Sequence, residues 1–122
     1  PQLLDKHFNL RSNKRFYFAG QMTGVEGYVE SAASGLMAGL AAARALLDLP
    51  EVEFPEVTAH GALANYISNP TIENFQPMNI NFGLIPPLTV RIRKKREKNA
   101  QIAARALEAL DSFLLALKTE QA

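Results

Sequence analysis

The stretch Arg15–Ala43, RFYFAGQMTGVEGYVESAASGLMAGLAAA, decides how this chain is to be read. Its opening, Phe16-Tyr17-Phe18-Ala19, suits a buried strand. Gly20 breaks that strand, and Thr23, Gly24 and Gly27 are further turn-permissive positions. A helix of small residues follows. A strand that feeds a glycine-rich turn at a helix N-terminus is the way α/β proteins hold phosphates and electron-rich rings. The first N–H groups of the helix have no intrahelical partner, and its dipole leaves roughly half a positive charge there. The stretch therefore predicts a ligand-binding turn.

Outward from the turn, helical composition runs from about Tyr28 to Leu47 and stops before Pro50, which cannot extend it. Gly35 and Gly39 lie four apart on one face and are read as positions where another backbone packs closely. Upstream, Pro1–Lys14 reads as a polar approach loop with a fragment of structure around Leu3–Phe8. Downstream, Pro50–Pro55 is a linker, and Val57–Ile67 is a second helix with Thr58 as its N-cap, closed by Pro70. Pro77, Gly83 and Pro86-Pro87 keep Phe75–Pro87, FQPMNINFGLIPP, from being helical. There Met78, Ile80 and Phe82 alternate with Asn79 and Asn81, so an extended backbone puts both amides on one face. A last helix is predicted from near Thr89 to about Lys118, with one apolar stripe through Ile102/Ala103, Ala106/Leu107, Leu110, Phe113/Leu114 and Leu117.

The 122 residues, 48% of them hydrophobic, are one domain's length. Only Phe16–Ala19 reads as a core strand, and a lone strand leaves its backbone groups unpaired. The expectation is a C-terminal piece of a longer protein whose other strands lie upstream; the alternative is that weak extended segments pair locally. No cysteine is present, which removes disulfides, thiolate metal sites and a cysteine nucleophile from these residues. His7 and His60 have no partners at metal-ligand spacing and read as structural. No apolar run approaches the about 18 residues of a membrane span. Residues 91–98, RIRKKREK, carry a net charge of +5 in a chain whose total is +1, leaving −4 for the remainder. Basic charge at a helix start opposes the dipole, so local stability did not place it there; an anionic partner is the reading that competes with a solvated face.

FYFAGQMTGVEGYVESAASGLMAG, then FQPMNINFGLIPPL, then RIRKKREKN, resemble in this order the C-terminal part of the TrmFO family, folate- and FAD-dependent enzymes that form 5-methyluridine in tRNA. The wobble-uridine-modifying GidA flavoproteins share the AGQ-turn-GY-helix pattern but look unlike this chain from the asparagine segment onward, and a GidA-like modifier of tRNA is the second-ranked enzyme reading. The resemblance implies an α/β fold in which residues 1–49 end a doubly wound FAD-binding domain, contributing its last core strand and helix. Residues 50–122 would be a mainly helical extension with the asparagine segment and the basic amphipathic helix.

The same resemblance implies that Gly20, Gln21, Thr23, Gly24, Val25, Glu26, Gly27 and Tyr28 contact FAD, with Gln21 near the ribityl chain. Methylenetetrahydrofolate would be the carbon donor, NAD(P)H the source of reducing equivalents and tRNA the substrate, in a cytoplasmic, membrane-free enzyme. The GxGxxG turn and the catalytic cysteines would lie in the missing N-terminal part, so no catalytic residue and no metal ligand is assigned here, and the piece alone is expected to be inactive.

Two groups of residues are candidates for substrate. Asn79 and Asn81 offer amides to a pterin or an extruded base, against the alternative of local loop capping. Arg91, Arg93, Lys94, Lys95 and Arg96 are candidates for phosphate contact. Glu26 and Glu30 read chiefly as acids that suit a helix's first turn. A non-catalytic helical module that binds RNA or protein is the competing class of function.

Overall fold

The computed structural model describes residues 2–73 and 75–121, with side chains as far as Lys118. Pro1, the first residue of the predicted approach loop, lies outside the described residues. Three helices carry the fold: α1 (Tyr28–Leu46), α2 (Ala59–Ser68) and α3 (Lys95–Gln121), with single 3-10 turns at Gln21–Thr23 and Phe82–Leu84.

Among the described residues no strand forms. The predicted strand Phe16–Ala19 is extended, but it makes only one antiparallel bridge, Asn9 with Tyr17. Leu10 N–H donates to Phe16 O at 2.9 Å and Phe18 N–H to Phe8 O at 2.9 Å, and the pairing goes no further. Phe16 is 55% exposed, whereas Phe18 and Ala19 pack on the core. The physical reason is the lack of a partner: within these residues no second segment runs long enough beside Phe16–Ala19 to build a ladder. Two further bridges, Leu4 with Leu10 and Val25 with Met78, complete the local extended pairing.

The core gathers Leu4, Phe8, Val25, Met37, Leu63 and Ile67, with Tyr66 closing one side. Side chains from both sides of residue 50 share it. α1 turns Ser34, Met37, Ala38 and Arg44 inward. Its opposite face, with Val29, Ala32, Leu36, Gly39, Ala43 and Leu46, is exposed. The helix closes as the sequence predicts, before Pro50. Asp48 N–H donates to Ala45 O and Leu49 N–H to Arg44 O, with Asp48 left-handed at φ 56°. These two bonds satisfy carbonyls that the helix end would otherwise leave open.

Thr58 caps α2 as expected, its Oγ1 accepting from Gly61 N–H at 3.1 Å and donating to Pro55 O at 2.6 Å. A β-carbon at Gly61 would run into the carbonyls of Phe54 and Pro55. The Phe54 ring stacks on His60, with centroids 5.1 Å apart, and meets Phe113 in a tilted contact at 4.7 Å, and so joins the linker to α2 and α3.

α3 begins at Lys95, later than the predicted Thr89. β-Branched Thr89, Val90 and Ile92 are poor helix starters, and the cations around them oppose the dipole. Its predicted stripe is retained in part: Ile102 is buried and Ala106, Leu110, Phe113 and Leu117 are half-buried, while Ala103, Leu107 and Leu114 are exposed. Arg105 fastens α3 to the preceding segment by donating to the carbonyls of Pro86 and Pro87.

Candidate functional site: the glycine turn and the segment against it

Three glycines with positive φ shape the turn: Gly20 (83°), Gly24 (104°) and Gly27 (90°). Between the first two, the chain makes one 3-10 turn, closed by Thr23 N–H to Gly20 O at 3.0 Å and Gly24 N–H to Gln21 O at 3.1 Å. The Thr23 hydroxyl also donates to Gly20 O, at 2.7 Å. Gly20 N–H in turn donates to Ser34 Oγ at 2.8 Å, and Ser34 Oγ donates to Ser31 O at 2.7 Å. Ser34 is wholly buried. The entry to the turn is thus bolted to the second turn of the helix that follows it.

The asparagine segment lies directly against this turn. Val25 and Met78 form a parallel bridge, with Met78 N–H donating to Gly24 O and Glu26 N–H to Met78 O, both at 3.0 Å. Glu30 Oε1 accepts from Ile80 N–H at 3.4 Å. A β-carbon on Gly27 would collide with the Glu30 carboxylate and with Asn79 Nδ2. One on Gly24 would collide with the Phe75 ring. That ring is stacked on Tyr66 at 5.0 Å, and Tyr66 OH donates to Gln76 O at 2.7 Å.

The residues predicted to touch a ligand therefore divide by direction. Gln21, Glu26 and Tyr28 are exposed, Tyr28 to 93%. The side chains of Thr23 and Val25 point inward, Val25 to complete burial. From these two and from the glycines, only backbone is available to a ligand. Gly20 has open space where a β-carbon would stand. Beside the turn lies a cleft of about 500 Å³ whose lining includes Leu10, Phe18, Gln21, Met22 and Gly24.

The two asparagines differ in what they do. Asn79 is beside Gly27. Asn81 caps the second 3-10 turn, its Oδ1 accepting from Gly83 N–H at 2.8 Å and its Nδ2 donating to Asn79 O at 3.3 Å.

The basic stretch straddles the start of α3. Arg91 and Arg93 lie on the approach, Lys94 sits just before the first helical residue, and Lys95 and Arg96 open the helix. All five are exposed, and none pairs with a carboxylate within 4 Å among the described residues. Burial against Phe54 lowers the pKa of His60 below its ordinary value. Among the described residues no cluster of His, Asp or Glu is placed to hold a metal, and no helix is long and apolar enough to cross a membrane.

Reading the sequence alone missed three features of this site. Ser34 is a polar residue on the inward face of an alanine-rich helix, and that misplacement was the available signal. Phe75 and the Glu30–Ile80 contact carried none, since both depend on how residues 50 apart meet.

A family profile described as "Glucose inhibited division protein A" matches residues 1–50. Beyond that segment, proteins named methylenetetrahydrofolate–tRNA-(uracil-5-)-methyltransferase TrmFO align over 93% of the chain. Those of Desulfitobacterium hafniense and Pelotomaculum thermopropionicum are 55% and 57% identical to it, and that of Streptococcus agalactiae 56%. The chain spans 26% of the length of each of these relatives. The turn, the asparagine segment and the basic stretch all lie within what they share, and on these grounds the chain belongs to the TrmFO family as a C-terminal portion.

Proposed function

We propose that the chain is the C-terminal part of a flavoprotein that methylates C5 of a uridine in tRNA, taking the carbon from methylenetetrahydrofolate. The observation that carries this reading is identity above half, over 93% of the chain, to proteins so named. FAD, when bound, supplies the reducing equivalents that complete the methyl group, with NAD(P)H restoring them. Gly20, Gln21, Thr23, Gly24, Val25, Glu26, Gly27 and Tyr28 border the flavin, the inward-facing ones through backbone alone.

The fit of these residues to half a flavin site supports the reading. Gly20 leaves its Cα open to a close approach, and the first N–H groups of α1, which take no side-chain cap at Gly27, would suit negative charge that develops on the ring. Nothing in residues 1–49 resembles a diphosphate-binding GxGxxG turn, so the other half of the cofactor belongs to the N-terminal part that this chain does not span. In this reading residues 1–49 end a doubly wound domain, whose sheet supplies the strand partners that Phe16–Ala19 lacks and covers the exposed face of α1. Asn79 and Asn81 stand toward the folate or the uracil, and Arg91, Arg93, Lys94, Lys95 and Arg96 toward tRNA phosphates. A cytoplasmic location follows from a tRNA substrate.

The test uses the full-length protein. It should be yellow as purified and should convert uridine in tRNA to 5-methyluridine only when methylenetetrahydrofolate is supplied. Gly27→Val should release the flavin, because a β-branched residue cannot hold φ near 90° and the backbone of the turn must leave its path past the ring. Stoichiometric flavin retained by Gly27→Val after gel filtration would remove this turn from the flavin site.

A further inference from the structure

We propose that Glu30 is a positioning residue: its carboxylate ties Ile80 to the first turn of α1 and so holds the Asn79 amide at the glycine turn. The inference rests on the reading that this turn borders the flavin and the carbon donor.

In the parallel bridge, Met78 uses both its backbone groups toward the turn, donating to Gly24 O and accepting from Glu26 N–H. In a parallel pair the next rung lies two residues on, so Ile80 N–H would seek the carbonyl of Glu26. That rung does not form. At Gly27 (φ 90°) the chain swings out of the pairing line and enters α1. The acceptor that reaches Ile80 N–H instead is the Glu30 side chain, at 3.4 Å. A carboxylate oxygen there stands in for the missing strand carbonyl, at the long end of hydrogen-bond distance.

The other carboxylate oxygen and Asn79 Nδ2 both crowd the space over Gly27 Cα. Asn79 therefore sits between two anchored neighbours, Met78 on the bridge and Ile80 on Glu30. Met78 and Ile80 also pack against the core. With both flanks fixed, the backbone at residue 79 is held, and the amide, which offers donor and acceptor together, stays beside Gly27. Dipole support would explain an acidic residue in this turn, but not a carboxylate bonded to an amide 50 residues away.

The experiment uses the full-length protein with Glu30→Ala, Glu30→Gln, Asn79→Ala and the double Ala variant. Hydrogen exchange across residues 76–84 should speed up about tenfold in Glu30→Ala and stay near wild type in Glu30→Gln, which keeps an acceptor oxygen. KM for methylenetetrahydrofolate should rise about five- to tenfold in Glu30→Ala and in Asn79→Ala, with kcat and flavin content held. The double variant should be no worse than Asn79→Ala, because the two side chains act as one unit. Should Glu30→Ala not fold, Glu30→Met keeps the side-chain length, removes the acceptor and takes its place. Unchanged exchange at residues 76–84 would overturn the proposal, as would Glu30→Gln failing as badly as Glu30→Ala, or a loss confined to kcat. A wild-type protein without flavin or carbon transfer would sink the parent reading, while exchange at Ile80 would still decide the tie.

Discussion

Gly24 faces the ring of Phe75 so closely that even one added carbon would enter the ring's edge. The glycine needs its freedom twice over, for a φ of 104° and for this contact. The ring is not free to retreat, being stacked on Tyr66, whose hydroxyl is bonded to the backbone one residue beyond it.

Gly24→Ala should therefore destabilise the full-length protein by about 2–4 kcal/mol, the sum of left-handed strain and overpacking. Denaturant unfolding measures this. Adding Phe75→Leu should restore the overpacking share and leave the backbone share. A Gly24→Ala protein as stable as wild type would show that the ring is not held where it lies.

Gly35 and Gly39 make the opposite prediction. A β-carbon at either would meet nothing within 4 Å among the described residues. In the 122-residue chain by itself, each Gly→Ala should raise helix content and stability, by about 1 kcal/mol from helix propensity. In the full-length protein the same changes should destabilise, because the exposed face of α1 then has a neighbour. Circular dichroism and thermal unfolding of both forms check the reversal of sign; gains in both would mean that this face stays open.

His60 gives a pH dependence. Burial lowers its folded pKa, so the unfolded chain binds the proton more readily. Stability from neutral His60 is then fully present above its ordinary value of about 6.5. It declines as the pH falls below that value toward the lower folded pKa. His60→Phe, which keeps a ring against Phe54, should flatten the stability profile below about pH 6.5. A profile unchanged by this variant would assign the acid loss to other groups.

The basic stretch is tested by salt. Arg93→Ala, Lys94→Ala and Lys95→Ala together should weaken tRNA binding while leaving flavin content unchanged. The slope of log K against log salt should flatten by about 0.7–0.9 for each phosphate no longer neutralised by the protein. An unaltered slope would return these side chains to the solvated surface.

The three helices were legible because each carries its own local signals. Thr58 announces the start of α2 and Pro50 the end of α1, through groups a few residues apart along the chain. The glycine turn was legible for the same reason, since the need for positive φ at Gly20, Gly24 and Gly27 is written into residue type. The start of α3 was not, because a good apolar stripe masks the cost of opening a helix among β-branched and cationic residues.

Residue type and spacing thus set the helices, the turn and the charge segregation, all of which act over a few residues. Tertiary contact was needed to settle that Phe16–Ala19 bridges the approach loop instead of building a ladder, because a strand's hydrogen bonds depend on what lies beside it. It also settled that the asparagine segment docks on the glycine turn, with Phe75 under Gly24 and Glu30 reaching Ile80. Those contacts join residues about 50 apart in the chain, and no periodicity or local propensity encodes a meeting at that separation.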